Sequence, residues 1–210
     1  MFGWLNFNRP IHSALVCTIP PATEPVTLAQ AKAQCRVEIT DDDVLIGALI
    51  TAGRRYAEVA QRRALITSTW VYSLDNFPIF GSSAFVAGEI RLPIPPVQSV
   101  SSVQYYDIGG NLNTLDPSRY IVDVASQPAR IISTYATPWP VVTWTRPSSV
   151  MITFVAGYAN AAAVPVVTQQ AILLWVAWMY AQRGDSEALQ APPAAIDALL
   201  SIDSFGGQIV

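Results

Sequence analysis

Residues 40–65 read TDDDVLIGALITAGRRYAEVAQRRAL. Apolar residues recur at Leu45, Ala48, Leu49, Ala52, Tyr56, Val59 and Ala60. That is the i, i+3, i+4, i+7 spacing that lines one side of a helix. Asp43, Thr51, Arg54, Arg55, Glu58, Gln61 and Arg62 fall mostly on the other side. Thr40 followed by Asp43 approximates a capping box, in which a short side-chain oxygen accepts from the free N–H groups of the first turn. Asp41, Asp42 and Asp43 stand at the positive end of the helix dipole, and Arg54, Arg55, Arg62 and Arg63 lie toward its negative end. Period, cap and charge order together predict a helix over 40–65 with one buried stripe and one wet, arginine-rich face. The stripe needs a partner.

Working outward, a second helix is predicted just upstream, from Leu28 to about Val37, capped by Thr27 and placing Leu28, Ala31 and Cys35 on one side. Residues 1–25 read as an irregular arm, because Pro10, Pro20, Pro21 and Pro25 block regular structure. Downstream of Ile66 the period changes to two, and short β-branched and aromatic runs separated by Gly, Pro and Asn turns predict strands. They fall at 67–74, 89–92, 97–106, 112–115, 120–124, 129–133 and 150–158. The turn at Asp107-Ile-Gly-Gly-Asn111 reads as a hairpin. Residues 166–183 return to helix with Ile172, Leu173, Leu174, Trp175, Val176, Trp178, Met179 and Tyr180 set almost all round, so burial on every side is expected. Gly184 is the stop, and a last short helix follows Pro192-Pro193, over 194–200.

The organisation expected is α+β: a four-helix core with an antiparallel β-rich insertion between the second and third helices. In residue terms that is an N-terminal arm over 1–25, a discontinuous helical core over 26–66 and 160–200, a β-rich insertion over 67–159, and a C-terminal tail over 201–210. A small sandwich or barrel is expected for the insertion. The helices that flank it are expected to pack on each other.

Composition narrows the function. The chain has 210 residues, of which 51% are hydrophobic and only 13% charged; globular chains ordinarily carry about 25% charged residues. Membrane insertion is not expected, since the longest apolar run, 171–181, falls well short of the ~20 residues that span a bilayer. A sparsely charged surface covered by other subunits is the better explanation. The net charge of −3 argues against a protein whose main task is to grip nucleic acid. The N-terminal stretch lacks a basic start and is broken by Pro10, so it is not read as a signal peptide, and Val16 before Cys17 argues against lipidation. Cys17 and Cys35 are too few for a disulfide framework and are read as free, buried thiols.

No catalytic, cofactor or metal constellation emerges. The single histidine, His12, lies in the proline-bounded arm without an oriented partner. Asp41, Asp42 and Asp43 are better explained by the helix dipole than by a cation, and no Cys/His/Asp cluster has metal spacing. Arg54, Arg55, Arg62 and Arg63 form the one basic cluster. They serve either as a solvated helix face or as an interface with acidic partner residues or nucleic acid phosphate. An enzyme is not expected.

The order of motifs resembles the head–tail connector, or adaptor, proteins of tailed bacteriophages. The resemblance rests first on Pro25-Val-Thr-Leu-Ala-Gln-Ala-Lys32 leading through the acidic Asp41-Asp42-Asp43 to a helix with Ala52, Tyr56 and Gln61-Arg62-Arg63. It rests next on Leu92-Pro-Ile-Pro-Pro-Val-Gln-Ser-Val-Ser-Ser-Val-Gln-Tyr-Tyr-Asp107 with Gly109-Gly110, Leu115 and Tyr120. The third element is Val155-Ala-Gly-Tyr158, then Val164-Pro165 and a helix holding Ala171, Leu174 and Tyr180. The resemblance implies a structural virion protein assembled in the bacterial cytoplasm. It would form a twelve-copy ring between the portal protein and a stopper or tail-completion protein, with genomic DNA passing through the lumen and no catalytic activity, cofactor or membrane partner. On this sequence it implies portal or ring contacts at Arg54, Arg55, Arg62, Arg63, Ile196, Leu199, Leu200, Phe205, Ile209 and Val210. The runner-up readings are a β-module that binds a host receptor and, last, an enzyme of unrecognised type.

Overall fold

A computed structural model of the chain describes residues 12–78, 88–135, 137–143, 146–183 and 191–205. The fold is α+β, and the elements in chain order are β1 (Ser13–Ile19), α1 (Leu28–Cys35), α2 (Asp43–Gln61), β2 (Ser68–Leu74), β3 (Ile90–Arg91), β4 (Val97–Tyr106), β5 (Leu112–Thr114), β6 (Tyr120–Asp123), β7 (Arg130–Ser133), β8 (Val150–Ala156), α3 (Val166–Ala181) and α4 (Ala194–Ile202). The chain divides into two compact units. The described residues of Met1–Thr18, Thr69–Leu92 and Val97–Val155 form the strand unit, and those of Ile19–Ser68, Pro93–Pro96 and Ala156–Val210 form the helical unit.

The strands make a five-stranded sheet in the order β1-β2-β8-β4-β5 and a three-stranded sheet in the order β3-β7-β6. The β4–β5 hairpin is antiparallel, with Tyr105 opposite Asn113, and β6 pairs antiparallel with β7, with Val122 opposite Ile131. The β4–β5 turn is fixed by Asp107, whose Oδ1 accepts from the N–H groups of Gly109 and Asn111, both at 2.9 Å. These donors hold the Asp107 carboxyl below its usual range, the backbone N–H of Asn111 first among them. Leu92, Val103, Ile131, Val150, Ile152 and Phe154 are buried in this unit. Phe77 stacks on Trp139 at 4.9 Å between ring centroids, and the Trp139 indole N–H donates to the Gly88 carbonyl at 2.9 Å.

The arm expected over 1–25 contains a strand. Between Pro10 and Pro20 the alternation Ser13 to Ile19 is long enough to join the large sheet as an edge, with Thr18 Oγ1 donating to the Thr69 carbonyl at 3.2 Å. The prolines bracket regular structure here; they do not prevent it.

In the helical unit α1 is capped as its sequence predicts. The Gln30 N–H donates to Thr27 Oγ1 at 3.2 Å and the Thr27 N–H to Gln30 Oε1 at 2.8 Å. The start of α2 differs from expectation. Asp42 occupies the N-cap position without a side-chain cap bond, and the acidic run ties helices together. Asp42 accepts from the Tyr180 hydroxyl and pairs with Arg183 at 3.6 Å, while Asp43 pairs with Lys32 at 2.6 Å. The helix also ends earlier, at Gln61, where Arg62 takes a left-handed conformation (φ 53°) and the Arg63 N–H donates back to the Glu58 carbonyl at 3.1 Å.

The period predicted for α2 is right and its phase is wrong. Ile46, Ile50, Gly53 and Ala57 are buried against Ile172, Trp175 and Val176 of α3, and Ile196 and Leu200 of α4 complete that core. Of the expected stripe, Leu49 and Tyr56 pack against this core, whereas Leu45, Ala48, Ala52, Val59 and Ala60 face solvent. Nor is α3 buried all round: Val166 is 78% exposed, and Trp178 is half-buried. Gly184 lies outside the described residues.

Two prolines and a glycine stitch the unit together. The Ala64 N–H donates to the Pro95 carbonyl at 3.0 Å, the Gly157 N–H to the Pro96 carbonyl at 2.8 Å, and the Thr67 N–H to the Tyr158 carbonyl at 3.0 Å. Gly157 has φ +110°, and a Cβ there would lie 2.3 Å from the Ile66 carbonyl oxygen. Gly157→Ala is expected to destabilise the chain by at least about 2 kcal/mol, since positive φ and a backbone clash act together. The midpoint of urea unfolding would measure it, and a midpoint equal to the wild type would refute this role for the glycine.

Candidate functional site

The residues singled out from sequence divide between the interior and the surface of the helical unit. Arg54 was expected on a wet face, and it is 5% exposed. Its Nε donates to Glu24 at 2.7 Å and its Nη1 to Glu58 at 3.0 Å, across a single turn of α2. Glu58 also receives Arg55 Nη1 at 3.3 Å, and its other oxygen accepts from the Leu65 N–H at 3.3 Å. Burial works against the Arg54 charge; Glu24 and Glu58 outweigh it and hold the guanidinium pKa above its usual value. With its Nε on Glu24 and its Nη1 on Glu58, Arg54 is a buried structural cation of the helical unit.

One turn further along, Gln61 is fully buried. Its Nε2 donates to Thr168 Oγ1 on α3 at 3.0 Å and to the Leu200 carbonyl on α4 at 3.1 Å, and its main-chain carbonyl accepts from the Phe205 N–H at 2.9 Å. Arg54, Glu58 and Gln61 therefore form a polar seam along the covered side of α2. Glu24 and Thr168, which complete it, were not foreseen. Their signal was the i, i+4, i+7 spacing of the three polar residues, a stripe in its own right.

Tyr56 links the seam to the last helix. It stacks on Trp175 at 5.8 Å between centroids, and its hydroxyl donates to Asp197 Oδ1 at 2.6 Å. This bond to Asp197 comes first among the causes that push the Tyr56 pKa up to about 12.

Contacts were expected at the C-terminal end. Ile196 and Leu200 are each 2% exposed, Leu199 is half-buried against the same core, and Phe205 is half-buried. Ile196 and Leu200 are core residues of the helical unit, their side chains enclosed by this chain's own helices. Removing 196–210 would open that core, so such a truncation cannot isolate a docking role. Ile209 and Val210 lie outside the described residues. At the surface remain Arg55 and Arg62, with Arg63 half-buried, beside a face of α2 that carries Val44 at 88% and Val59 at 72% exposure.

Among the described residues no group of His, Cys, Asp and Glu is placed to hold a metal ion, and no helix is long and apolar enough to cross a membrane. Cys17 and Cys35 are not joined in a disulfide, and both are half-buried.

The fold recurs in solved structures. A chain in the neck of an empty gene transfer agent particle, computed with sixfold symmetry, superposes with a TM-score of 0.70 over 93% of this chain and 97% of its own, at 22% identity. The two share a fold. A chain of the native gene transfer agent virion matches with a TM-score of 0.69 at 20% identity, over 93% of this chain and 97% of its own. A chain in the native neck computed with twelvefold symmetry matches at 0.62 and 22% identity, over 91% and 97%. No family model and no curated protein matches the sequence.

Two outcomes test the seam. Arg54→Leu leaves the buried Glu58 with only Arg55 and the Leu65 N–H and takes the cation from Glu24, and is expected to lose about 3 kcal/mol of stability; chemical denaturation reads this, and a loss under about 1 kcal/mol would contradict the pairing. Stability conferred by the Tyr56–Asp197 bond is fully present below the unfolded tyrosine pKa and lost as pH rises toward about 12. Between pH 10 and 12 the wild type should therefore lose stability more steeply than Tyr56→Phe, and parallel pH profiles would remove the bond from the account.

Proposed function

We propose that this chain is a structural protein of a phage or phage-like particle, a head–tail adaptor that forms a ring of copies between the portal and the stopper or tail. One observation carries the reading. The shared fold takes in both units and runs through 93% of this chain and 97% of a neck chain, which is how a whole component matches, not a widely reused subdomain. In this reading the ring has twelve copies, surrounds the channel through which genomic DNA passes, and has no catalytic role.

The physical chemistry of the chain supports it. A closed ring is built from heterologous contacts, in which each subunit hides two different faces against identical neighbours. A chain with 13% charged residues and an apolar outer face on α2 is suited to such covering. A net charge of −3 suits a channel wall past which DNA slides, because phosphates bind by releasing counterions to basic surfaces. Portal contact is proposed at the C-terminal end, through Leu199, Phe205, Ile209 and Val210. Arg55, Arg62 and Arg63 are proposed for contacts within the ring or with the portal.

Electron microscopy of native particles carrying a labelled copy of this chain tests the proposal. Label is expected in a single collar between head and tail. Label on the capsid shell or on tail fibres would overturn the adaptor reading, and a ring lumen dominated by Lys and Arg would overturn its account of DNA passage.

A further inference from the structure

The five-stranded sheet ends on β5, whose three residues Leu112, Asn113 and Thr114 include neither a charge nor a proline. The Asp107 N–H donates to the Asn111 carbonyl at 3.0 Å and the Leu115 N–H to the Val103 carbonyl at 2.7 Å. In that antiparallel register Asn113 turns its main-chain groups to Tyr105, and Leu112 and Thr114 turn theirs away from β4, toward the outer edge. Leu112 is 49% exposed, and Ile108 in the adjoining turn is 78% exposed. An edge with outward N–H and C=O groups and apolar side chains around it is a template for one more strand. Three residues offer few bonds, so an added strand must also cover those side chains.

At the other end of the strand order is β1, and it begins at the same rim of the sheet as the β4–β5 turn. A row of bonds runs along that rim. The Asp75 N–H donates to the His12 carbonyl at 3.3 Å, and Asp75 Oδ1 accepts from the Ser148 N–H at 2.9 Å. The Tyr106 N–H donates to the Ser149 carbonyl at 2.9 Å, and Asp107 then meets Asn111. Ahead of His12 stand eleven residues, MFGWLNFNRPI, with Phe2, Trp4, Leu5, Phe7 and Ile11 apolar and Arg9 the one charged side chain. The acceptor stretch 107–118 holds Asp107 and Asp116 and no cation. An apolar segment with a cation and an apolar edge with two carboxylates are complementary, and they belong to opposite edges of one sheet.

We infer that residues 1–11 of one copy add a strand to the outer edge of β5 in the next copy. Four strand spacings separate β1 from β5, about 19 Å, and eleven extended residues reach about 36 Å. The outer side of β5 faces away from β1 of the same chain, so only a neighbour's β5 can be met without crossing a sheet face. Main-chain bonds to Leu112 and Thr114 supply the pairing, and Phe2, Trp4 and Phe7 cover Ile108 and Leu112. Donor and acceptor sit at different edges of the subunit. The contact is therefore heterologous, and successive copies joined this way close into a ring when the rotation between them permits. This inference rests on the ring reading given above and assigns a contact that would build it.

The test uses the full-length chain, with mass measured by light scattering and native mass spectrometry as concentration rises. Wild type is expected to form closed assemblies. Phe2→Asp, Trp4→Asp and Phe7→Asp together disable the donor. Thr114→Pro blocks the acceptor, since the N–H it removes faces outward and no main-chain bond to β4 is lost. Each variant alone is expected near the 22.7 kDa of one chain, with the far-UV circular dichroism and thermal midpoint of wild type. Mixed, the two should form a one-to-one pair and nothing larger, because one working donor and one working acceptor remain between them. A mixture that stays unpaired, or assembly of either variant as in wild type, would overturn this contact while leaving the ring reading standing. A wild-type chain monomeric at every concentration would overturn the ring reading and this contact with it.

Discussion

A guanidinium enclosed by apolar side chains is unstable unless each direction in which it can donate meets an acceptor. Arg54 is paired with two carboxylates from different places in the sequence, Glu24 ahead of α1 and Glu58 one turn along α2. Glu58 then accepts the Leu65 N–H and so holds the chain as it leaves the helix. Gln61 carries the same side of α2 on to Thr168 and to the carbonyl of Leu200. The segment before α1, the end of α2, the start of α3 and the end of α4 are thus fixed in register by directed bonds. Apolar burial alone would allow those helices to slide.

This seam also explains why α2 was legible in part. Its existence, its right-handed period and the adjoining α1 cap follow from local sequence. Its orientation does not, because two apolar faces compete and the one next to α3 includes an arginine, a glutamate and a glutamine. Ranking faces by polarity selects the side of Leu45, Ala52 and Val59, which is the exposed one. Only the positions of Glu24 and Thr168, distant in sequence, make the polar face the buried one.

In the strand unit the positions of seven strands were readable from alternation and turn residues, and the Asp107 hairpin from its glycines. The eighth, Ser13–Ile19, was missed because prolines on either side outweighed a clear alternation. Sheet order was not accessible: it places β8 between β2 and β4, a pairing of distant segments that no local pattern encodes. The residues expected to make contacts were hardest to read. Ile196 and Leu200 have the apolar character of contact residues and that of core residues equally, and the helix they occupy was resolved only by its packing.

Helices α1 and α2 both end on an arginine in the left-handed region, Arg36 at φ 56° and Arg62 at φ 53°. A side chain with a Cβ is strained there by about 1–2 kcal/mol, and glycine is the ordinary occupant. Replacing either by glycine would make the lone molecule more robust, yet both sites retain a long cation that reaches into solvent. A glycine at either position is among the simplest stabilising substitutions that this fold offers.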